Sequence, residues 1–339
     1  MFDFRSDTVT KPTKAMREAM ANAIVGDDVY GDDPTINELE KLGAKMTGME
    51  SCVFVASGTM GNQLAIYAQT SRGDEIIVGS GSHIKNYEVG AAAVLSGVSY
   101  HLVDEVDGMM PLELIEKGIR GEDIHYPDTG LICLENAHGS GKALSLEYME
   151  KVYKLAKKYD ISIHLDGARI FNAATSLGVD AKAITKYVDS VTFCLSKGLA
   201  SPVGSLLCGS KEFIKKARKG RKLVGGGMRQ VGVLGACGLI SLNDMTKRLD
   251  EDHKNAQYLA AKLSQIDGFE VDYDHLEINM VFVKSVYNFE EMTKYLLTKK
   301  LIVGGYKDEY LRIALHNDIS RATIDLLVLE IHNYLKEAK

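Results

Sequence analysis

The sequence predicts an α/β protein in which a large domain, built on a mostly parallel, doubly wound sheet, precedes a small C-terminal α+β domain. Three observations predict this fold. The 339 residues exceed one typical domain, continuous apolar runs alternate with longer helical patterns, and that alternation ends after Arg229. Continuous apolar runs are typical of parallel strands, because helices cover both faces of such strands and neither face meets water.

Seven short apolar runs are the predicted strands of the large domain. They are Cys52–Ala56, Glu75–Gly79, Val98–Val103, Leu131–Glu135, Ile161–Leu165, Val191–Leu195 and Ser205–Cys208. One helix between them is predicted to begin at Asp33-Pro34 and to end at Gly48. Asp is favoured as an N-cap, Pro in the first turn and Gly just past the last turn. A second helix is predicted from Leu144 to Tyr159.

A long helical pattern from Lys247 to Leu263 opens the C-terminal part of the chain. We therefore place the domain boundary near residue 245, which divides the chain into residues 1–245, with the N-terminal arm, and residues 246–339. The elements predicted after that helix are strands Phe269–Tyr273 and Asn279–Lys284, a helix at Phe289–Thr298, strands Leu301–Val303 and Leu311–Leu315, and a last helix from Arg321.

Composition and charge predict a soluble, cytoplasmic protein. The formal net charge of −6 disfavours nucleic acid as a partner, since phosphate binding needs a positive face. No run approaches the roughly 20 apolar residues of a membrane span, and the charged N-terminus lacks an apolar signal core. The five cysteines form no C-x-x-C pair. Cys133, Cys194 and Cys208 lie within apolar runs and are predicted to be buried thiols, neither disulfide-bonded nor zinc ligands. No metal site is predicted.

The first motif that carries chemistry is S-G-T-M-G-N, from Ser57 to Asn62, between a predicted strand and a helix. Free N–H groups and the positive end of the helix dipole bind anions there, Gly58 lets a phosphate approach the backbone, and the hydroxyls of Ser57 and Thr59 can donate. The alternative is a plain strand-to-helix turn. The sequence has neither a Walker motif nor a dinucleotide fingerprint, which disfavours nucleotide-binding functions.

The second motif, I-S-I-H-L-D-G-A-R, places Asp166 at the carboxyl end of a buried strand, where open parallel sheets bind ligands. A carboxylate there suits a pyridinium nitrogen, and Arg169 could bind a carboxylate through two hydrogen bonds. The alternatives are a helix N-cap for Asp166 and a surface ion pair for Arg169. A metal site built on the H-x-D pair of His164 and Asp166 is disfavoured, because the pattern offers no third ligand.

The third motif, V-T-F-C-L-S-K-G, places Lys197 directly after an apolar strand. A lysine in a partly dry site becomes nucleophilic and can form a Schiff base. The alternative is a lysine that extends to the surface from the strand end. In chain order the three motifs give a phosphate cradle, an aspartate with a nearby arginine, and a lysine on a following strand. This order indicates a fold-type-I, aspartate aminotransferase-like enzyme that uses pyridoxal 5'-phosphate.

The sequence also resembles the threonine aldolase family from end to end. The motifs that carry the resemblance are F-R-S-D-T-V-T-K-P-T, G-D-D-V-Y-G-D-D-P-T-I-N-E-L-E, S-G-T-M-G-N, S-H-I-K-N-Y-E, H-L-D-G-A-R-I-F-N-A, F-C-L-S-K-G-L and G-G-G-M-R-Q. The resemblance implies a carbon-carbon lyase that cleaves L-threonine, L-allo-threonine or a related β-hydroxy-α-amino acid to glycine and an aldehyde. Another pyridoxal-phosphate activity, β-elimination or racemisation, is the alternative.

The resemblance assigns roles to positions of this chain. Lys197 matches the Schiff-base lysine, Asp166 the partner of the ring nitrogen, and His83 the histidine stacked on the pyridine ring. The phosphate cradle matches Ser57, Gly58 and Thr59. Ser6, Arg169 and Arg312 match groups that hold the substrate carboxylate. Arg169 is also expected beside the cofactor. His125 matches a histidine near the substrate hydroxyl. His83, His125 and a positioned water all remain candidates for the base.

The resemblance further implies a homotetramer, a dimer of dimers with shared active sites. Arg229 and Lys222 match groups that reach the phosphate of a neighbouring subunit, and Tyr30 is expected to serve the neighbour's substrate site. One segment departs from the family. Where relatives usually have E-N-T-H-N, this chain has Glu135-Asn136-Ala137-His138-Gly139, followed by Ser140-Gly141-Lys142. We expect that loop near the cofactor, where it would alter both the contacts around the site and the substrate preference.

Overall fold

The fold is built on a seven-stranded central sheet. A computed structural model describes residues 1–304, 306–307 and 309–337. From one edge to the other, the sheet contains β2 (Ser51–Val55), β8 (Ser205–Gly209), β7 (Ser190–Cys194), β6 (Ser162–Asp166), β5 (Thr129–Glu135), β3 (Glu75–Gly79) and β4 (Ser99–Val103). All seven predicted strands are present, within two residues at each end.

One strand of the central sheet runs against the others. β8 pairs antiparallel with both β2 and β7, whereas the remaining pairings are parallel. The predicted mostly parallel sheet is therefore confirmed. A short apolar run carries no signal for its own direction, because direction depends on the connection that precedes it.

Helices cover both faces of the sheet. In β2, Phe54 lies in the main hydrophobic core, while its neighbours Val53 and Val55 pack in a separate cluster on the other face. The helices of the described residues are α1 (Lys14–Ala21), α2 (Pro34–Thr47), α3 (Gly58–Gln69), α4 (His83–Asn86), α5 (Leu112–Gly118), α6 (Leu146–Lys158), α7 (Ile170–Leu177), α8 (Ala181–Thr185), α9 (Lys211–Leu223), α10 (Gly232–Asn243), α11 (Leu249–Leu263), α12 (Phe289–Thr298) and α13 (Arg321–Glu337).

The caps of α2 match those predicted from sequence. The side chain of Asp33 accepts the N–H of Ile36 at 3.0 Å, Pro34 occupies the first turn, and Gly48 ends the helix in the left-handed conformation at φ 67°. Capping satisfies backbone groups that have no partner inside the helix, which is why the sequence located both ends.

A second, antiparallel sheet forms the C-terminal unit. Its strands, in order, are β12 (Tyr306–Lys307), β13 (Tyr310–Ala314), β10 (Met280–Ser285) and β9 (Phe269–Val271). The chain start joins this unit, because β1 (Phe2–Asp3) pairs with β11 (Leu301–Ile302) and the buried ring of Phe4 packs in its core. The boundary at residue 245 stays a prediction, since α11 contributes Leu249 to the main core and Leu259 to the second.

The prediction that the cysteines carry no disulfide was wrong for one pair. Cys52 and Cys208 lie directly opposite each other on the antiparallel strands β2 and β8 and form a disulfide. They are 156 residues apart in the chain, so only the strand pairing brings them together. Cys133, Cys194 and Cys237 are free and buried, as expected of small apolar side chains. Among the described helices, none is long and apolar enough to cross a membrane.

A histidine of the C-terminal unit connects the two sheets. Nε2 of His275 lies 2.6 Å from Oδ1 of Asp107, in the loop after β4, and its Nδ1 lies 2.7 Å from Oδ2 of Asp272. Ionised carboxylates only accept hydrogen bonds, so both contacts are hydrogen bonds when the ring is an imidazolium with a proton on each nitrogen. Burial alone would lower the pKa of His275, but the hydrogen bonds to Asp107 and Asp272 outweigh it and raise that pKa.

We expect this contact to make the stability of the fold pH-dependent. The pKa of His275 is higher in the folded state, so its stabilisation is complete below the unfolded pKa of about 6.5 and disappears as pH rises through the folded pKa. Urea unfolding should show His275→Gln to be less stable by at most about 1 kcal/mol at pH ~6, because the pair is partly exposed. A difference between variant and wild type that stays constant up to pH ~9 would contradict the contact's role.

Candidate active site

The candidate active site lies where the parallel strands of the central sheet end. Asp166 is the last residue of β6, Lys197 follows β7, and Ser57 and Gly58 follow β2. His83 opens α4, just after β3. Because the carboxyl ends of parallel strands share one edge of a sheet, these residues from distant parts of the chain meet there.

Asp166 is buried and held by two donors. Its Oδ1 accepts the N–H of Ala168 at 3.0 Å, and its Oδ2 accepts the side-chain amide of Asn62 at 2.7 Å. The carbonyl oxygen of Asn62 faces Nε2 of His164 at 3.1 Å, and Nδ1 of His164 faces the Ser190 hydroxyl at 2.9 Å. Burial lowers the pKa of His164 to about 4, so that ring is neutral and structural. Asp166 is thus fixed in position with acceptor capacity to spare, as a pyridinium partner requires.

His83 is fixed by two carboxylates. Its backbone N–H donates to Glu135 at 2.8 Å, and its Nδ1 lies 3.0 Å from Glu88. The hydrogen bond to Glu88 raises the pKa of His83 and Asp166 acts in the same direction, while burial and the charge of Lys197 oppose them. The charge of Lys197 also helps to lower the pKa of Asp7. His83, Asp7 and Lys197 therefore share one electrostatic environment.

The start of α3 fits a phosphate group. The hydroxyl of Ser57 caps the helix by accepting the N–H of Met60, and the amides of Gly58 and Thr59 make no hydrogen bond within the described residues. A Cβ on Gly58 would lie 2.9 Å from the sulfur of Cys194, so a larger residue here would displace that buried side chain. The nearby hydroxyl of Ser205 is buried and has no hydrogen-bond partner among the described residues. Unpaired donors at a helix N-terminus match what a phosphate needs.

Arg169 is held by a carboxylate that the sequence interpretation did not include. Asp7, fully buried, accepts Nε of Arg169 at 2.7 Å and Nη2 at 2.6 Å, and it also accepts the amide of Asn279 at 3.3 Å. Burial alone would raise the pKa of Asp7, but Arg169 holds it far below its usual range. Two donors of Arg169 are therefore already occupied, and Nη1 is the one that has no partner within the described residues.

Arg312, on β13, contributes a second guanidinium beside the first. Its Nη2 donates to the carbonyl of Arg5 at 3.2 Å, and its Nε is buried with no partner among the residues that the structure describes. Burial and the neighbouring charge of Arg169 lower the pKa of Arg312. Ser6 caps the turn Asp7–Val9 and places its hydroxyl 3.5 Å from Asp7. Of the two neighbouring guanidiniums, only that of Arg169 is hydrogen-bonded to a carboxylate within the described residues, so the pair suits a substrate carboxylate.

Replacing Asp7 by asparagine should destabilise the protein strongly. The substitution keeps the shape of the side chain but leaves the buried charge of Arg169 without its counter-charge, which costs about 3 kcal/mol in comparable pairs. Chemical denaturation measures the loss in free energy of unfolding. Asp3→Asn is the matched control, because its partner Arg5 is exposed and we expect less than about 1 kcal/mol there. Equal losses for the two variants would rule out a special role for Asp7.

Four predicted site residues lie apart from this cluster in the single chain. His125 is 78% exposed at its side chain and pairs with Asp123 at 2.8 Å. Arg229 pairs with Asp27 at 2.9 Å, its guanidinium lies over the ring of Tyr30, and Lys222 lies beside Gly227. No contact within the described residues joins these four to Lys197, Asp166 or His83.

The segment that departs from the family is tied to both sheets. Glu135 accepts the N–H of Gly139 at 3.0 Å, and His138 lies 3.0 Å from Glu105. Nζ of Lys142 lies 2.9 Å from Glu277 of the C-terminal unit. Since Glu135 also accepts the N–H of His83, the segment reaches the site through that carboxylate. The predicted effect on substrate preference stays a prediction.

Comparison with known proteins gives the family. The beta-eliminating lyase family model matches residues 3–286. A probable low-specificity L-threonine aldolase 2 of Arabidopsis thaliana is 46% identical, over 96% of this chain and 95% of its own length. The low specificity L-threonine aldolase of Escherichia coli K12 is 42% identical, over 95% of each chain.

This chain belongs to the threonine aldolase family. Solved structures agree on the fold of this threonine aldolase family member. The threonine aldolase of Leishmania major matches with a TM-score of 0.84 and 19% identity, over 98% of this chain and 99% of its own. An alanine–glyoxylate aminotransferase of Nostoc matches with a TM-score of 0.76 and 18% identity, over 99% of this chain and 96% of its own. The predicted fold-type-I, pyridoxal-phosphate enzyme fold is therefore confirmed.

The sequence interpretation missed three buried polar residues of the site of this family member. Asn62 and Glu88 end the recognised motifs S-G-T-M-G-N and S-H-I-K-N-Y-E, and Asp7 lies within F-R-S-D-T-V-T-K-P-T, yet none received a role. For Asn62 and Glu88, a polar side chain at the end of a strand-to-helix motif was the available signal. The pairings of Asp7 with Arg169 and of Asn62 with Asp166, however, join distant parts of the chain and could not be identified before folding.

Proposed function

We propose that this protein cleaves L-threonine, L-allo-threonine or both to glycine and acetaldehyde. The observation that carries the proposal is the meeting of Lys197, Asp166 and two guanidiniums at one edge of the sheet, in a chain whose relatives bear the name low-specificity L-threonine aldolase. An amine-reactive lysine, a ring-nitrogen partner and a carboxylate site are the groups that such a cleavage needs.

The cofactor in this proposal is pyridoxal 5'-phosphate, bound to Lys197 as a Schiff base. Asp166 would hold the ring nitrogen, His83 would stack on the ring, and Ser57, Gly58 and Thr59 would hold the phosphate. When bound, the cofactor supplies an electron sink for the charge left at Cα. Support comes from the free amides at the start of α3 and from the position of Asp166 at the end of β6.

In the proposed reaction, the chain orients the substrate through its carboxylate. Arg312 offers a buried Nε that has no partner within residues 1–304, 306–307 and 309–337, Arg169 offers Nη1, and the hydroxyl of Ser6 lies beside Asp7, the partner of Arg169. Holding the carboxylate fixes the rotation about the Cα–N bond and selects which bond to Cα is broken. His83, His125 and an ordered water are the candidates for the base that takes the β-hydroxyl proton. Of the two histidines, His83 is the one beside Asp166 and Lys197.

We further propose a homotetramer whose neighbouring subunits complete each site. Tyr30, which is 77% exposed, together with Arg229 and Lys222, lies on a surface that also exposes Leu223 and Val29. Such a surface suits contact with a second copy, which would bring the two cations to the phosphate. A role in threonine breakdown and glycine supply, in the cytoplasm, is part of the same proposal.

Product analysis tests this function. We would incubate the holoprotein with L-threonine and with L-allo-threonine and analyse the products by mass spectrometry. Glycine and acetaldehyde in equal amounts are the expected products. A 2-keto acid with ammonia would instead indicate β-elimination, the alternative that the name of the matching family model favours. Recovery of the substrate inverted at Cα, D-allo-threonine from L-threonine, on chiral chromatography would indicate racemisation.

A further inference from the structure

Glu88 is a buried carboxylate to which the proposed function gives no role. Its side chain is fully buried, and the residue is 1% exposed. Oε1 accepts the amide of Asn62 at 2.8 Å and lies 3.0 Å from Nδ1 of His83, while Oε2 accepts the amide of Gln63 at 2.6 Å. Charge on a buried carboxylate is tolerated only where donors surround it, and Glu88 accepts from two side-chain amides besides facing His83.

The direction of the bond between His83 and Glu88 follows from these donors. The orientation of Asn62 is fixed, because its oxygen faces Nε2 of the neutral His164 and its amide nitrogen lies between Asp166 and Glu88. Each oxygen of Glu88 therefore receives an amide N–H, the arrangement that an anion requires. An ionised Glu88 can only accept from His83, so Nδ1 of His83 carries a proton.

Nε2, the other ring nitrogen of His83, is available for proton transfer. Nε2 makes no hydrogen bond within the described residues. The charged groups that face the ring are Glu88, Asp166, Lys197 and Glu135, whose carboxylate also accepts the backbone N–H of this histidine. A carboxylate that fixes the tautomer of a histidine in this way decides which nitrogen can exchange a proton with a substrate or an ordered water.

We propose that Glu88 is a positioning residue that, together with Asn62, orients His83, keeps its proton on Nδ1 and leaves Nε2 as the nitrogen available in the site. The use of His83 in aldol cleavage rests on the proposed function, whereas the pairing itself does not. The amide nitrogen of Asn62 donates to both Asp166 and Glu88. Asn62 therefore holds Asp166, the proposed partner of the ring nitrogen, at a fixed separation from Glu88, which contacts His83.

Nuclear magnetic resonance of the holoprotein, labelled with ¹⁵N-histidine, tests the proposal. His83→Asn identifies the His83 signals by their loss. In the wild type, we expect the neutral ring to carry its proton on Nδ1 and to have a pKa above the ordinary value of about 6.5. In Glu88→Gln, which keeps the shape and removes the charge, that pKa should fall by at least about 1 pH unit, and the Nδ1–H preference should weaken.

Glu75→Gln is the matched control. Glu75 is also buried beside a histidine, with His101 at 3.6 Å, but it lies at the opposite end of β3. An unchanged His83 pKa in Glu88→Gln, or an equal fall in the control, would overturn the proposal. Should Glu88→Gln fail to fold, the tautomer of His83 in the wild type tests the proposal by itself. A neutral His83 ring protonated on Nε2 would contradict the proposal. None of these readouts needs turnover, so they separate this proposal from the proposed function.

Discussion

Replacing Lys197 by alanine is expected to abolish both cofactor attachment and threonine cleavage. The lysine follows β7, and its charge acts on the pKa of both Asp7 and His83, which places it among the titratable groups of the site. Loss of a covalent nucleophile costs at least about 10³-fold in kcat in other enzymes, and we expect a loss of that size here. The visible absorption band of the bound cofactor should also disappear, as the protein spectrum would show.

Lys186→Ala is the control for that result. Lys186 is exposed, and its ammonium lies over the ring of Tyr187, away from the site. Its variant should keep the band and the activity of the wild type. A Lys197→Ala protein that kept its visible band and turned over normally would remove Lys197 from the chemistry.

The second large effect is expected at Arg312. Its Nε is buried and has no partner in the described parts of the chain, so we expect a substrate carboxylate to complete the arrangement. Each hydrogen bond to a charged group contributes about 1.5–3 kcal/mol, so Arg312→Ala should raise KM for threonine roughly 10- to 100-fold. Steady-state kinetics over a wide substrate range would measure this rise, with a smaller change expected in kcat.

Arg120→Ala provides the comparison for Arg312. Arg120 pairs with Glu75 at 2.9 Å, at the other end of the sheet from the site. Its removal should leave KM unchanged. An unchanged KM in Arg312→Ala would exclude this arginine from substrate binding and would leave Arg169, already occupied by Asp7, as the remaining candidate.

Local signals explain which parts of the fold were predictable. The bounds of α2 and α12 and the positions of the central strands could be read from capping residues and apolar runs, both of which act within a few residues. The antiparallel direction of β8 and the Cys52–Cys208 disulfide could not, because both depend on which strands become neighbours. The cysteines sit in apolar runs that look the same whether the thiols are free or paired.

The same limit applies to the site. Asp166 and Lys197 were predictable because a charged residue at the end of an apolar strand is unusual, and the strand itself locates it. The partners of Arg169 were not predictable, since Asp7 lies 162 residues away in the chain and approaches through the N-terminal arm. His125, assigned by resemblance, lies in an exposed loop of the single chain, so its role depends on contacts that this chain alone does not make.

The most direct test of the central claim is acetaldehyde release by the purified holoprotein, followed through NADH consumption with alcohol dehydrogenase present. We would record the visible spectrum first and then add L-threonine or L-allo-threonine. A bound-cofactor band together with acetaldehyde release is the predicted result, and the two rates would rank the diastereomers. A cofactor band without acetaldehyde from either substrate would contradict threonine cleavage and would make the segment from Ala137 to Lys142 the first place to look for a different substrate.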